Sequence, residues 1–269
     1  MKLLRSASLL ALALGIGLVT TLTACQSALL YPAPDSPLPA PLPAGVEQLP
    51  LGGAYGLFLR PETKSPVPVV VFTHGNGEAA HHWIRAARPL VEQGLGVLLV
   101  EFPGYGDAKG SPSLDSIRTV VLEAFDVLAL HPDVDPNAII AYGRSIGGGA
   151  ACLLAAERPV AALALESTFT TLAELVSELG LPAFLLRDRY DNARVVEAFE
   201  GPVFLYHGSR DTLIGVHHGR ALAALARDVD WNERTCGHND CPRPWSEFVA
   251  FLSDRGLLAR APARAANSD

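Results

Sequence analysis

Three short stretches of this 269-residue sequence carry side chains that could do chemistry together. The first is Gly143-Arg144-Ser145-Ile146-Gly147, which follows the apolar run 138–142 (AIIAY) and opens a helical pattern over 146–157. A serine between glycines at a strand-to-helix turn projects its hydroxyl from a tight elbow. The start of the helix meanwhile aims unpaired N–H groups at any negative charge that develops beside it. A serine hydroxyl attacks poorly until a base takes its proton, and that base needs a carboxylate to orient it. The other two stretches supply both groups. His207-Gly208-Ser209-Arg210-Asp211 follows the run 203–206 (VFLY), and Cys236-Gly237-His238-Asn239-Asp240 follows a strand-like run near the C-terminus. Ser145, Asp211 and His238 therefore read as nucleophile, orienting acid and general base of an acyl-transfer reaction. Glu166, just after the run 160–165, is the rival acid.

A fourth stretch, His74-Gly75-Asn76-Gly77, follows the run 67–73 (VPVVVFT). Its glycines let backbone approach a substrate closely. The backbone N–H groups of Asn76 and Ile146 are the candidate oxyanion donors, and losing one such donor typically costs on the order of 10²–10³ in rate. His74 reads as a structural member of that loop. His81-His82 and His217-His218 are adjacent pairs, which should face apart on a helix, so they read as surface histidines and not as metal ligands. Cys236 and Cys241 bracket the turn around His238 and are close enough in sequence for a small disulfide loop, which spacing alone leaves open. Cys152 falls in an apolar helical pattern and reads as a buried, inert thiol. No second ligand pair follows the Cys–His cluster at zinc spacing, so no metal is expected.

The elements that must position these residues alternate along the chain. Apolar runs at 67–73, 95–102, 138–142, 160–165 and 203–206 have the look of strands buried on both faces. Helical patterns separate them at 79–93, 113–130, 146–157 and 217–227, with another at 244–252. Ser113 with Ser116, just after Pro112, marks a helix start. The expectation is an α/β fold: one doubly wound, mostly parallel sheet. Two hairpin-like segments at 46–51 and 55–60 would add an antiparallel N-terminal edge. Only about 36 residues separate the fourth and fifth buried runs, and they include an apolar helix pair at 172–186, so any lid is minimal. The domain is expected over 46–256, followed by a flexible tail over 257–269.

Composition excludes other classes. With 49% hydrophobic and 18% charged residues the chain is not a disordered polymer. A formal net charge of −7 argues against a nucleic-acid partner, since that affinity comes from Lys and Arg neutralising phosphates. Residues 1–24 read as an export signal, with Lys2 and Arg5 ahead of an apolar run and a Leu22-Thr23-Ala24-Cys25 ending. That ending resembles the bacterial lipobox, which implies cleavage before Cys25 and lipidation of it. Removing Lys2 and Arg5 from the 21 basic residues, against 28 acidic ones, takes the net charge to −9. The protein is then expected in the cell envelope, held on a membrane by its lipid, with Gln26 favouring the outer membrane. Residues 31–50 contain seven of the 21 prolines. The arm over 25–45 is either a stiff polyproline spacer or a strap packed on the domain.

Taken together, HGNG, EFPGYGDAKGSPS, GRSIGG, ALESTF, HGSRDTLI and CGHND resemble the α/β-hydrolase superfamily over residues 31–256. The resemblance is to its lidless Bem-type, or serine-aminopeptidase-like, branch. The Cys pair flanking His238 departs from that pattern. The resemblance implies an α/β-hydrolase fold, the chain order Ser145, Asp211, His238, and a monomeric enzyme without metal or organic cofactor. It further implies cleavage of carboxylic esters, thioesters or small amides; the expected substrate is a small-molecule or lipid acyl ester or thioester. Two other readings stay open: a serine aminopeptidase or amidase, with Glu166, Asp107 or Asp188 receiving the substrate amine, and an inactive hydrolase fold serving as a binding lipoprotein.

Overall fold

The computed structural model describes residues 26–63 and 66–258. The segment read as an export signal, the lipidation candidate Cys25 and the chain from Ala259 lie outside the described residues. Eight strands form one sheet in the order β1-β2-β4-β3-β5-β6-β7-β8. They are β1 (Val46–Leu51), β2 (Ala54–Leu59), β3 (Val67–Thr73), β4 (Gly96–Val100), β5 (Val134–Arg144), β6 (Ala162–Glu166), β7 (Val203–Gly208) and β8 (Val229–Arg234). β2 pairs antiparallel with both β1 and β4, and every pairing from β4 onward is parallel. The α/β architecture with an antiparallel N-terminal edge is as expected from the sequence.

The apolar runs are continuous because both faces of the sheet are covered, and the period-two geometry of a strand sorts them. Val69, Val71, Leu98, Val100, Ile139 and Ala141 enter one core layer. Their neighbours Val70, Phe72, Val97, Leu99, Ile140 and Tyr142 enter the other. The first layer is closed by α3 (Leu114–Ala129), α4 (Ile146–Glu157), α6 (Asn192–Ala198) and α7 (Val216–Leu225). The second is closed by α2 (Ile84–Glu92) and α8 (Trp245–Asp254). At the start of α3, Ser113 accepts from the Ser116 N–H (3.1 Å) while the Ser116 hydroxyl accepts from the Ser113 N–H (2.9 Å), a reciprocal cap.

The excursion between β6 and β7 is small. It consists of α5 (Leu172–Glu178), a single 3₁₀ turn at Ala183–Leu185, and α6. An antiparallel bridge between Thr171 and Asp191 closes its base. The sequence pattern did not mark α6, whose seven residues start on an Asp191 cap that accepts from the Arg194 N–H (3.0 Å). So short a helix has too few turns to show a period. A short helix, α1 (Gln26–Leu30), opens the described chain. The arm behind it lies along the domain: Gly77 donates to the Pro32 carbonyl (3.0 Å) and Leu38 donates to Asp107 (2.9 Å).

One buried ion pair ties the carboxyl ends of β3 and β4. His74 Nε2 lies 2.9 Å from Glu101, its Nδ1 lies 2.9 Å from the Gly75 carbonyl, and both side chains are fully buried. Both ring nitrogens face acceptors, so the imidazolium fits the site. Burial by itself would lower the histidine pKa, but the bond to Glu101 and its charge raise it above 6.5. A raised folded-state pKa means the contribution is complete below 6.5 and is lost as pH climbs through the higher folded value. Urea unfolding midpoints should therefore decline as the pH is taken above neutrality, and His74→Asn should flatten that slope.

Candidate active site

β5 ends at Arg144 and α4 starts at Ile146, leaving a single residue to make the turn. Ser145 makes it with φ 54° and ψ −122°, a conformation an L-residue holds only when its surroundings dictate it. They do so through backbone bonds: Ser145 N–H donates to Glu166 O (2.9 Å), while its carbonyl accepts from Gly148 N–H (3.0 Å) and the Thr168 hydroxyl (2.7 Å). The glycines on either side are required by contact. A Cβ on Gly143 would sit 2.2 Å from the Gly147 carbonyl oxygen, and one on Gly147 would sit 2.2 Å from that of Thr73.

The strand-end loops after β7 and β8 bring the other two residues to this serine. His238 Nε2 lies 3.1 Å from Ser145 Oγ, and its Nδ1 lies 2.7 Å from Asp211 Oδ2. A carboxylate only accepts, so Nδ1 carries the proton and Nε2 is left to accept from the serine hydroxyl. Burial alone would raise the Asp211 pKa. His207, His238 and the Ile214 N–H outweigh that effect and hold the carboxyl well below the usual range. Its Oδ1 accepts from the N–H groups of Leu213 (2.9 Å) and Ile214 (2.8 Å). Glu166 does not reach His238. It is buried, accepting from Tyr142 OH (2.6 Å) and Arg243 (3.0 Å).

Arg144 is a residue that sequence reading passed over. Its guanidinium is buried and donates to Glu78 (2.6 Å), to the His238 carbonyl (2.8 Å) and to Asn239 Oδ1 (2.8 Å). Glu78 in turn accepts from Gly75 N–H (2.8 Å) and Trp83 Nε1 (3.1 Å). One side chain beside the serine thus fastens both the Gly75–Asn76 loop and the His238 loop. The charged residue inside the G-x-S-x-G stretch was the available signal, but nothing in its spacing says that it points inward. Cys236 and Cys241 are joined, with Cα atoms 5.1 Å apart, and close the His238 turn covalently. Cys152 is a buried free thiol whose pKa burial pushes up.

Ser145, His238, Asn76 and Ile146 share one cavity of about 290 Å³. Its walls come from Phe169, from α5 and the residue after it (Leu172, Leu175, Val176, Leu179), from Leu213 and Ile214, and from Leu29 and Leu30 of α1. Among the described residues no carboxylate lines it. Asp107 and Asp188 are engaged elsewhere, Asp107 with Leu38 N–H and Asp188 with Tyr31 OH (2.6 Å) and Leu114 N–H (2.9 Å). The Asn76 side chain is clamped between the Leu30 carbonyl (2.7 Å) and Tyr105 OH (3.1 Å).

The histidine pairs depart from the surface reading. His218 is fully buried, and His217 and His218 converge on Glu178 (2.8 and 3.3 Å). His81 and His82 likewise converge on Ser36 Oγ (3.1 and 2.9 Å). Two torsions let an imidazole tip swing to a common partner on a neighbouring segment, which defeats an argument from Cβ direction alone. The cluster of Glu178, His217 and His218 has ligand atoms close enough to meet at one point. However, His218 Nδ1 accepts from the Thr170 N–H (3.3 Å), which leaves its Nε2 as a donor to Glu178 and not as a free lone pair.

A nucleophile elbow, a strand-end acid and a strand-end histidine on an eight-stranded sheet define an α/β hydrolase. Residues 68–200 match the family model described as alpha/beta hydrolase fold. An uncharacterized protein of Mycobacterium tuberculosis is 33% identical over 224 residues, 79% of each chain. Protein bem46 of Schizosaccharomyces pombe is 27% identical over 198 residues, covering 68% of this chain and 66% of its own. The chain belongs to the α/β-hydrolase fold family, in the branch that includes bem46. Solved structures share the fold at low identity. Acetyl xylan esterase 1 from Thermoanaerobacterium has a TM-score of 0.64 at 16% identity, over 82% of this chain and 86% of its own. A structure described as a membrane phospholipase A, a bacterial virulence factor, has 0.63 at 20%, over 96% and 99%.

Arg144→Met would leave Glu78 without its cation and the His238 carbonyl without its donor, and should lower the unfolding free energy by about 3–5 kcal/mol, read from urea titration. Replacing both Cys236 and Cys241 by Ser opens a short loop and should cost about 2 kcal/mol in the same measurement.

Proposed function

We propose that the protein is a serine hydrolase that cleaves carboxylic esters, or thioesters, through an acyl-enzyme on Ser145. The observation that carries this reading is the hydrogen-bonded chain from Ser145 Oγ through His238 to Asp211 at the floor of an apolar cavity. In this mechanism His238 takes the hydroxyl proton as Ser145 attacks the acyl carbonyl. The tetrahedral oxyanion is received by the backbone N–H groups of Asn76 and Ile146, the latter in the first turn of α4. His238 then protonates the leaving alcohol or thiol. Water, activated by the same imidazole, releases the acyl group and restores the serine. Asp211, held as the carboxylate, stabilises the imidazolium in both halves of the cycle.

The lining favours an acyl group over an amino-acid amine. An aminopeptidase must neutralise a substrate ammonium, and the three carboxylates that might have done so are engaged away from the cavity. The esterase named among the similar structures accords with this choice. The lipobox-like ending at Cys25 supports export and lipid anchoring in the bacterial envelope.

Ser145→Ala should abolish labelling by a fluorophosphonate probe and hydrolysis of p-nitrophenyl esters while leaving the unfolding transition intact. Asp211→Asn, which permits the wrong histidine tautomer, should cost about 10⁴ in kcat. A panel of p-nitrophenyl esters against aminoacyl anilides checks the chemistry: turnover confined to the anilides, or unchanged ester turnover in Ser145→Ala, would overturn the reading.

A further inference from the structure

An apolar groove adjoins the reactive cavity. Leu29, Leu30 and Val176 line both the Ser145 cavity and this groove, which runs on along Gln26, Leu181, Pro182, Leu185 and Leu186. The wall they share is α1 together with Val176 of α5, and the domain holds α1 in place at several points. Gln26 donates to the Leu185 carbonyl (3.0 Å) and accepts from Arg187 N–H (2.6 Å), and the Leu30 carbonyl is bound by the Asn76 side chain (2.7 Å). The N-terminal helix is therefore a built part of the site, bonded to the loop that carries a proposed oxyanion donor.

The rim around the cavity and the groove is apolar. Among the described residues six large hydrophobic side chains are exposed: Leu29, Leu130, Leu179, Leu181, Phe184 and Leu213. All but Leu130 belong to this rim, since Leu29, Leu179 and Leu213 line the cavity, Leu181 lines the groove, and Phe184 stands in the 3₁₀ turn beside Leu185. Five apolar side chains gathered around one opening mark an interaction surface, whereas the same number scattered would mark nothing. Arg187 and Arg189 stand exposed next to it and enter no ion pair among the described residues. The sequence ahead of α1 is the apolar run, read as an export signal, that leads to Cys25, one residue before Gln26. Anything that holds Cys25 at a bilayer holds this opening there too.

We propose that this rim docks on the bilayer surface and that the Ser145 cavity draws in one acyl chain of an ester-linked membrane lipid, the polar remainder staying among the headgroups. The proposal rests on the serine-hydrolase reading and names its substrate class. A cavity of about 290 Å³ stands at the small end of ligand pockets, sized for an acyl chain and not for a whole lipid. The apolar rim enters the acyl boundary, and Arg187 and Arg189 lie where anionic headgroups would meet them.

The test uses the full-length chain reconstituted in phosphatidylcholine vesicles with a minor fraction of phosphatidylglycerol. Two esters with the same leaving group separate chemistry from presentation: p-nitrophenyl butyrate in the water phase and p-nitrophenyl laurate dispersed in the bilayer. Phe184→Ser should leave butyrate turnover within about twofold and cut laurate turnover about fivefold or more, while Leu130→Ser changes neither. Equal effects of Phe184→Ser on both esters, or none on laurate, would overturn the proposal. A second arm does not need catalysis. In Phe184→Trp, brominated lipids should quench fluorescence beyond the level of the three native tryptophans. No added quenching, including the case where a dimer covers the residue, would overturn the bilayer as occupant. A chain that is quenched but cleaves neither ester would keep the docking surface and sink the hydrolase reading instead.

Discussion

Everything in the site hangs on the turn at Ser145, where a parallel strand becomes a helix within one residue. The backbone there sits at φ 54°, and the strain is sustained because Gly143, Gly147 and the Thr73 carbonyl pack backbone against backbone. That contact forbids a side chain at either glycine. It also fixes where the hydroxyl stands relative to the carboxyl ends of β3, β6 and β7, which is where the loops bearing Asn76, Thr168 and Asp211 begin. The sheet order therefore does more than bury apolar surface: it brings loops more than a hundred residues apart in sequence to one point.

A second constraint keeps those loops from drifting. Arg144 is buried beside the nucleophile and bonds at once to Glu78, the His238 carbonyl and Asn239. Burying a guanidinium is costly unless every lone pair around it is aimed well, so such a group is a strict judge of geometry. The loop behind β3 and the loop behind β8 are thereby registered to each other through one cation. The Cys236–Cys241 link limits what the His238 turn can do independently, and the His74–Glu101 pair does the same at the other side of the site.

Much of this was legible in the residues. The parallel core showed as continuous apolar runs, because strands buried on both faces have no polar side to display. Ser145 and Asp211 could be picked out because each lies just past such a run, and His238 because it follows a strand-like run near the C-terminus, where an α/β sheet offers its side chains to a cleft. The misses share a cause. Arg144, the convergence of His217 and His218 on Glu178, and the short helix α6 all depend on which partner a neighbouring element presents, and a single stretch of sequence does not contain that partner. The role of the N-terminal arm belongs with them. Its prolines are compatible equally with a free spacer and with a strap, and the choice is made by acceptors such as Pro32 O meeting donors such as Gly77 N–H.

The division follows from the range of the forces. Period, turn chemistry and the strand-to-helix spacing of a nucleophile are local properties, so the sequence by itself determined the fold class and the candidate triad. Which acid touches the histidine, whether two cysteines meet, and which residues wall the cavity depend on distances between segments far apart in the chain. Those were decided only by tertiary structure. Asp211 stands 2.7 Å from His238 while Glu166 is spent on Tyr142 and Arg243, and Leu29 and Leu30 of α1 become part of the pocket over Ser145.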